Sequence, residues 1–199
     1  MESKHATRSA ATRAALMAAA RPLFAARGYA AVGTEEIVQA AGVTRGALYH
    51  QFADKTELFA AVVEEVEREV TERIAQGAFA GGAATPSAAL EAGAEQFLAV
   101  CSEPEVERIL LIDAPSVLGW ERWREIGMRY GLGLVEGTLQ AAIDAGELEP
   151  QPARPLAHVL IGALDEAAMA VARADDPDRT REEMLAVLRR LLGALRTSG

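Results

Sequence analysis

Seven consecutive residues, Thr44-Arg-Gly-Ala-Leu-Tyr-His50, hold the groups best suited to chemistry, and that chemistry is recognition. Arg45 has the reach and the planar fork to donate twice to O6 and N7 of a guanine. Thr44 and Ala47 offer a hydroxyl and a methyl to a thymine methyl. Gly46 has nothing that reaches a base and instead lets a nucleic-acid backbone come close. Catalytic patterns are missing. There is no Gly-rich phosphate loop after a strand, no Gly-x-Ser-x-Gly elbow and no His-Glu-x-x-His helix. His5, His50 and His158 stand far apart with no Cys or acid at ligand spacing, so no metal, no cofactor and no enzyme are expected.

Position is set by the flanking sequence. Thr34 is expected to cap a short helix whose first turn carries Glu35 and Glu36, with Ile37, Ala40 and Ala41 on its inner side. Gly42 supplies a tight left-handed bend. Thr44 then caps a second helix that turns Ala47 and Leu48 inward and leaves Arg45, Tyr49, His50 and Gln51 outside. Two helices around such a turn read as a helix-turn-helix. A first helix is predicted over Ser9–Arg27, ended by Gly28. A fourth is predicted from Asp54, where Asp54-Lys-Thr-Glu57 has capping-box spacing.

Phe24, Gly28-Tyr29, Thr34, Ile37, Ala40-Ala41-Gly42-Val43, Gly46, Leu48-Tyr49, Phe52 and the run from Lys55 to Leu58 occur in order within the first 60 residues. This array resembles the DNA-binding domain of the tetracycline-repressor (TetR/AcrR) family of bacterial transcriptional regulators. The resemblance implies phosphate contacts from Thr34, Tyr49, His50 and Lys55. A tyrosine hydroxyl and helix N-terminal N–H groups suit phosphate oxygens. It also implies a homodimer on a palindromic double-stranded operator, a repressor's role, and release by a small-molecule effector through the long fourth helix.

The charge distribution agrees. Seven Lys/Arg against four acids give residues 1–55 a charge of +3, while the rest of the chain carries −12, for −9 in all. A basic head on an acidic body suits a DNA reader joined to another domain. Half the residues are apolar and a quarter charged, a globular composition. No stretch approaches the roughly 18 uncharged apolar residues of a membrane span. Lys4 and Arg8 precede no signal-like apolar segment, and Cys101 is alone, so a cytoplasmic location is expected.

The fold class read from these signals is all-α, about nine helices. Residues 1–54 form a three-helix DNA-binding head and residues 55–199 a helical effector-binding and dimerisation domain. The fourth helix, apolar at Leu58, Val62, Val66, Val70 and Ile74, should break at the Gly/Ala run 77–84. Helices then follow over Ser87–Cys101, from Ser102 to Pro115, through Trp120 to Gly146, and over Leu156–Ala174 and Thr180–Arg196. The last has Thr180–Glu183 as a capping box. Phe79, Phe97, Cys101, Trp120, Trp123, Met128, Tyr130 and Met169 are the candidate walls of a ligand cavity. Asp165-Glu166, mid-helix, is a candidate pair for arginines across an interface, with a solvated face as the alternative. Leu164, Met184, Leu188, Leu191 and Leu195 are the candidate dimer surface, helped by close approach at Gly162, Ala163, Ala167, Ala168 and Ala170. Two competing readings are a constitutive DNA-binding regulator without effector, favoured by a dry core, and an all-helical carrier or enzyme whose head only imitates a DNA reader.

Overall fold

Gly28 and Gly42 take φ of +77° and +65°, the left-handed conformation that a Cβ resists. Gly28 ends α1 (Glu2–Arg27), and Gly42 turns the chain between α2 (Thr34–Ala40) and α3 (Arg45–Gln51). The computed structural model describes residues 2–80 and 83–197; the side chains of residues 2–7, 79 and 80, including Phe79, lie outside the described residues. Beyond α3 come α4 (Lys55–Ala80), α5 (Pro86–Cys101), α6 (residues 104–118), α7 (Trp120–Asp144), α8 (Ala153–Ala172) and α9 (Pro177–Ala194). The described residues therefore hold nine helices, and their one extended pairing is an isolated bridge between Leu148 and Arg196.

Several helix ends differ from expectation. The first helix begins at Glu2 rather than Ser9, and α4 runs through Gly77 to Ala80. Gly33, not Thr34, is the N-cap of α2, and no side chain caps that helix. In α9 the cap is Asp176, whose carboxylate accepts from the Arg179 N–H at 3.1 Å, ahead of Pro177 at the first helical position. Thr180 is inside the helix and donates its hydroxyl to the Asp176 carbonyl. The segment expected to stop at Pro115 instead continues to Leu118 through a π-helical stretch, Glu107–Asp113, in which the Ala114 N–H reaches back to the Ile109 carbonyl. A wide turn there accommodates Pro115, which has no N–H for the ordinary helical bond.

The chain forms two compact units. The first comprises residues up to Val66 together with Pro104–Trp123. Phe24, Tyr29 and Phe59 meet in its core, with Phe59 edge-on to Phe24 at 5.1 Å between centroids. Leu16, Ile37, Leu48, Leu58 and Val62 are fully buried around them. Three polar contacts tie residues 104–123 into this unit. Arg21 Nε donates to Glu105 at 2.8 Å, the Tyr29 N–H donates to Asp113 at 2.7 Å, and Arg122 grips Glu57 with two bonds of 2.6 and 2.8 Å. Asp113 Oδ2 would lie 3.3 Å from a Cβ at Gly28, so that glycine also makes room for the carboxylate. Glu57 is drawn to Arg122, so only half the expected capping box forms, the Glu57 N–H donating to Asp54 at 2.9 Å.

The second unit comprises Glu67–Glu103 and the residues from Arg124 onward. Leu139, Leu148, Ala157 and Leu192 lie in its buried core, with Met128 and Leu195 packed against it. By length and composition α8 reaches a membrane-span threshold that tolerates two charges, but Asp165 and Glu166 interrupt its apolar run, so no uncharged stretch of that length occurs in it. Ala157, Leu160, Ile161, Ala167, Ala168 and Met169 of that helix are buried in the protein.

Candidate nucleic-acid interface and buried cavity

The helix pair presents its polar side outward. Ile37, Val38 and Leu48 are buried, and the Thr44 hydroxyl accepts from the Ala47 N–H at 3.2 Å, which starts α3 as expected. Arg45, Gly46, Tyr49 and His50 are all exposed, and Thr34 and Ala47 are half-buried. A Cβ placed on Gly46 would meet only the Thr44 hydroxyl, 3.9 Å away, so this turn faces open space. Arg45 donates to Glu35 at 2.8 Å across the turn, and its guanidinium carbon lies 5.6 Å from the Tyr49 ring centre. An exposed pair of this kind is worth about 0–1 kcal/mol, so a guanine or phosphate can displace Glu35 easily.

Lys55 has a different first role from the one implied by the resemblance. Its Nζ donates to the carbonyls of Tyr29 and Val32, both at 3.0 Å, and lies 3.9 Å above the Tyr29 ring. Burial lowers its pKa. Two of its three protons thus hold the loop between α1 and α2. Lys55→Ala is expected to destabilise the head by about 1–3 kcal/mol, because two partly buried carbonyls lose a charged donor. Denaturation of the variant checks this. A DNA-binding salt slope flatter by about 0.9 with stability unchanged would assign Lys55 to a phosphate instead.

In the second unit a cavity of about 110 Å³ opens among apolar walls, with Glu67, Thr71, Thr138 and Asp165 as its polar members. Of the expected aromatic and sulfur walls among the described residues, Phe97 alone lines it. Trp120 is 59 % exposed and stacks at 4.9 Å on buried Trp123, both in the first unit. Cys101 and Met169 are buried elsewhere in the core, Met128 packs on it, and Tyr130 is half-buried. The Cys101 thiol is pushed well above its ordinary pKa by burial, and further by the charges of Glu67, Asp165 and Glu103, so it is an inert thiol.

Two of the five expected dimer residues, Leu164 and Leu188, also line the cavity. Leu188 is buried, Met184 and Leu195 are half-buried, and Leu191 is exposed. Asp165 pairs with Arg124 of its own chain rather than across an interface. Sequence reading missed Glu67. The available signal was Glu67, Thr71 and Ile74 at i, i+4 and i+7, a helix face that places two polar groups beside an apolar stripe.

Burial pushes the Glu67 carboxyl up to about 7, and the Asp165 charge adds to the shift. Asp165 is raised to about 6 by burial, against the lowering pull of Arg124. A Cβ on Gly127 would lie 3.7 Å from Glu67 Oε1, so the missing side chain there leaves space for the carboxylate.

Similarity to known proteins covers both units. Residues 16–62 match the bacterial regulatory proteins of the tetR family, and residues 87–195 match the tetracyclin repressor-like C-terminal domain. The HTH-type transcriptional repressor Rv1474c of Mycobacterium tuberculosis is 36 % identical over 118 residues, 59 % of this chain and 61 % of that protein. The crystal structure of a TetR-family regulator from Pectobacterium atrosepticum superposes with a TM-score of 0.85 at 32 % identity, covering 96 % of this chain and 97 % of the other. RolR, crystallised with resorcinol, shares the fold with a TM-score of 0.73 at 21 % identity, covering 97 % and 98 % of the two chains.

Proposed function

Because this chain belongs to the tetR family of bacterial transcriptional regulators, we propose that it is a cytoplasmic repressor released from its operator by a small molecule. It is a DNA-binding regulator by family, and a relative 36 % identical is a repressor. One head spans too few base pairs to specify a site, so the operator is a palindrome read by a homodimer. The observation that carries this reading is the open first turn of α3, where exposed Arg45 projects beside a glycine that blocks nothing. Arg45 reads a base, with Thr44 and Ala47 beside it, and Tyr49, His50 and Thr34 hold phosphates. Lys55 keeps the loop that supports them in place.

The cavity supports an effector over the constitutive alternative, which called for a dry, tightly packed body. RolR, a protein of the same fold, binds a single-ring phenol, resorcinol. Glu67 of the cavity and Lys55 of the head lie on one helix, α4, so a ligand at the first acts on the element that carries the second.

Arg45→Ala tests the central claim. It is expected to weaken binding to the cognate operator by about 1–3 kcal/mol and to relax preference at one base pair per half-site. Binding selection from a random library reads this directly. Identical preference profiles for variant and parent would reduce Arg45 to a phosphate clamp.

A further inference from the structure

We infer that the cavity of the second unit binds a small organic monocation, an apolar body smaller than a benzene ring whose protonated nitrogen rests on the Glu67 carboxylate. The inference builds on the effector reading above and adds the chemical class of the ligand. Its basis is an imbalance of charge inside apolar walls. Arg124 and Asp165 satisfy each other, and Arg124 Nη2 also donates to the His158 carbonyl at 3.4 Å. Glu67 is half-buried and lines the cavity, yet has no hydrogen bond or ion pair among the described residues. The charged or titratable groups around it are Asp165, the Arg124 bound to Asp165, and the Cys101 thiol; none supplies a positive partner. The remaining polar lining is hydroxyl, and Thr138 already donates its proton to the Leu134 carbonyl at 2.8 Å.

A carboxylate held against apolar walls without a partner is costly, and a ligand that brings a cation completes it. An anion would meet two carboxyl groups. A neutral hydrophobe would fill the walls but leave Glu67 without a partner. A metal ion is disfavoured by donor number, since no group of three or more His, Cys, Asp or Glu among the described residues could hold one. Size limits the body: a cavity of about 150 Å³ accommodates benzene, and this one, at about 110 Å³, calls for something smaller, a short branched alkyl group. Phe97 on the wall adds an aromatic ring, which attracts cations.

The experiment is calorimetry on the full chain at pH 7 with three probes of one shape: isobutylammonium, isobutanol and isobutyrate. The expected result is isobutylammonium binding at least tenfold tighter than isobutanol, with isobutyrate weakest. Repeating the titration in buffers of different ionisation heat should show about half a proton released to buffer per cation bound, as Glu67 is driven to its ionised form. Glu67→Gln, an isosteric change that removes the charge, should bring amine and alcohol within about threefold of each other and end the proton release. Equal affinities for amine and alcohol in the wild type, a tenfold preference that survives Glu67→Gln, or no binding by any probe each overturns the inference. Should the variant fail to fold, the wild-type charge series and proton count decide alone. Operator release by fluorescence anisotropy separates this inference from the effector reading. An amine that binds but leaves the operator bound keeps the inference and removes the effector role. Release by isobutyrate and not by the amine does the reverse.

Discussion

Val187→Glu combined with Leu191→Glu is expected to give a folded monomer whose operator affinity is lower by a hundredfold or more. Along α9 the apolar residues divide into two sets. Leu188 and Leu192 are buried and belong to the cavity wall of their own unit. Val187 and Leu191 are 51 % and 49 % exposed, and Val159 on α8 is 67 % exposed. Exposed large aliphatic residues on the two longest helices of this unit's C-terminal half are what a twofold partner would cover, and a stable dimer buries about 1,200–2,000 Å² or more. Two glutamates per protomer would place four uncompensated carboxylates in that surface. Losing the dimer loses the second half-site, and with it the gain of about 10²–10⁴ that comes from linking two binding events. Leu188→Glu would be a poor test, since a charge there breaks the unit itself. Sedimentation velocity at micromolar concentration, with anisotropy on a palindromic duplex, measures both effects. A wild type that already sediments as a monomer defeats the proposal, as does a double variant that stays dimeric.

Local signals in the sequence carried most of the head. Gly42, Thr44 and Asp54 do in the structure what their positions required, because turns and caps are decided within four residues. Non-local partners were not legible. Glu57 could be read as a capping-box acid, but its carboxylate is drawn to Arg122, 65 residues away, and Asp113 reaches the Tyr29 N–H over 84. Thr180 was read as the cap of the last helix, but Asp176 takes that place, ahead of Pro177 at the first helical position. The cavity failed for a more instructive reason. Aromatic and sulfur side chains are large, so most of those nominated fill space or lie at the surface. The cavity forms where side chains are missing, at Gly93, Gly127 and Gly131, and its distinctive group is an acid on a helix otherwise read as a rod.

Glu67→Gln is expected to stabilise the protein at pH 8 by up to about 3 kcal/mol and to change little near pH 4. The folded-state pKa of Glu67, about 7, lies above the ordinary 4.5. The folded state therefore holds this proton more tightly than the unfolded state does. The contribution of Glu67 is fully present below pH 4.5 and is lost as pH rises through 7, at about 1.4 kcal/mol for each pH unit between those two values. Glutamine keeps the shape and has no charge to bury, so the gap between variant and parent should open across this interval and level off above it. For a chain of this size the gap at pH 8 corresponds to a rise in Tm of roughly 6–12 °C. Asp165 shifts in the same direction, but removing its charge would strand Arg124, so Glu67 is the cleaner probe. Urea unfolding at half-unit steps from pH 4 to 8 tests the point, and a gap that does not vary with pH would mean the carboxyl is solvated and not held in the cavity. If the gap opens as expected, the protein keeps an acid that weakens its own fold at neutral pH. Plain core packing gives no reason to retain such a group, whereas a ligand that supplies the missing positive charge does.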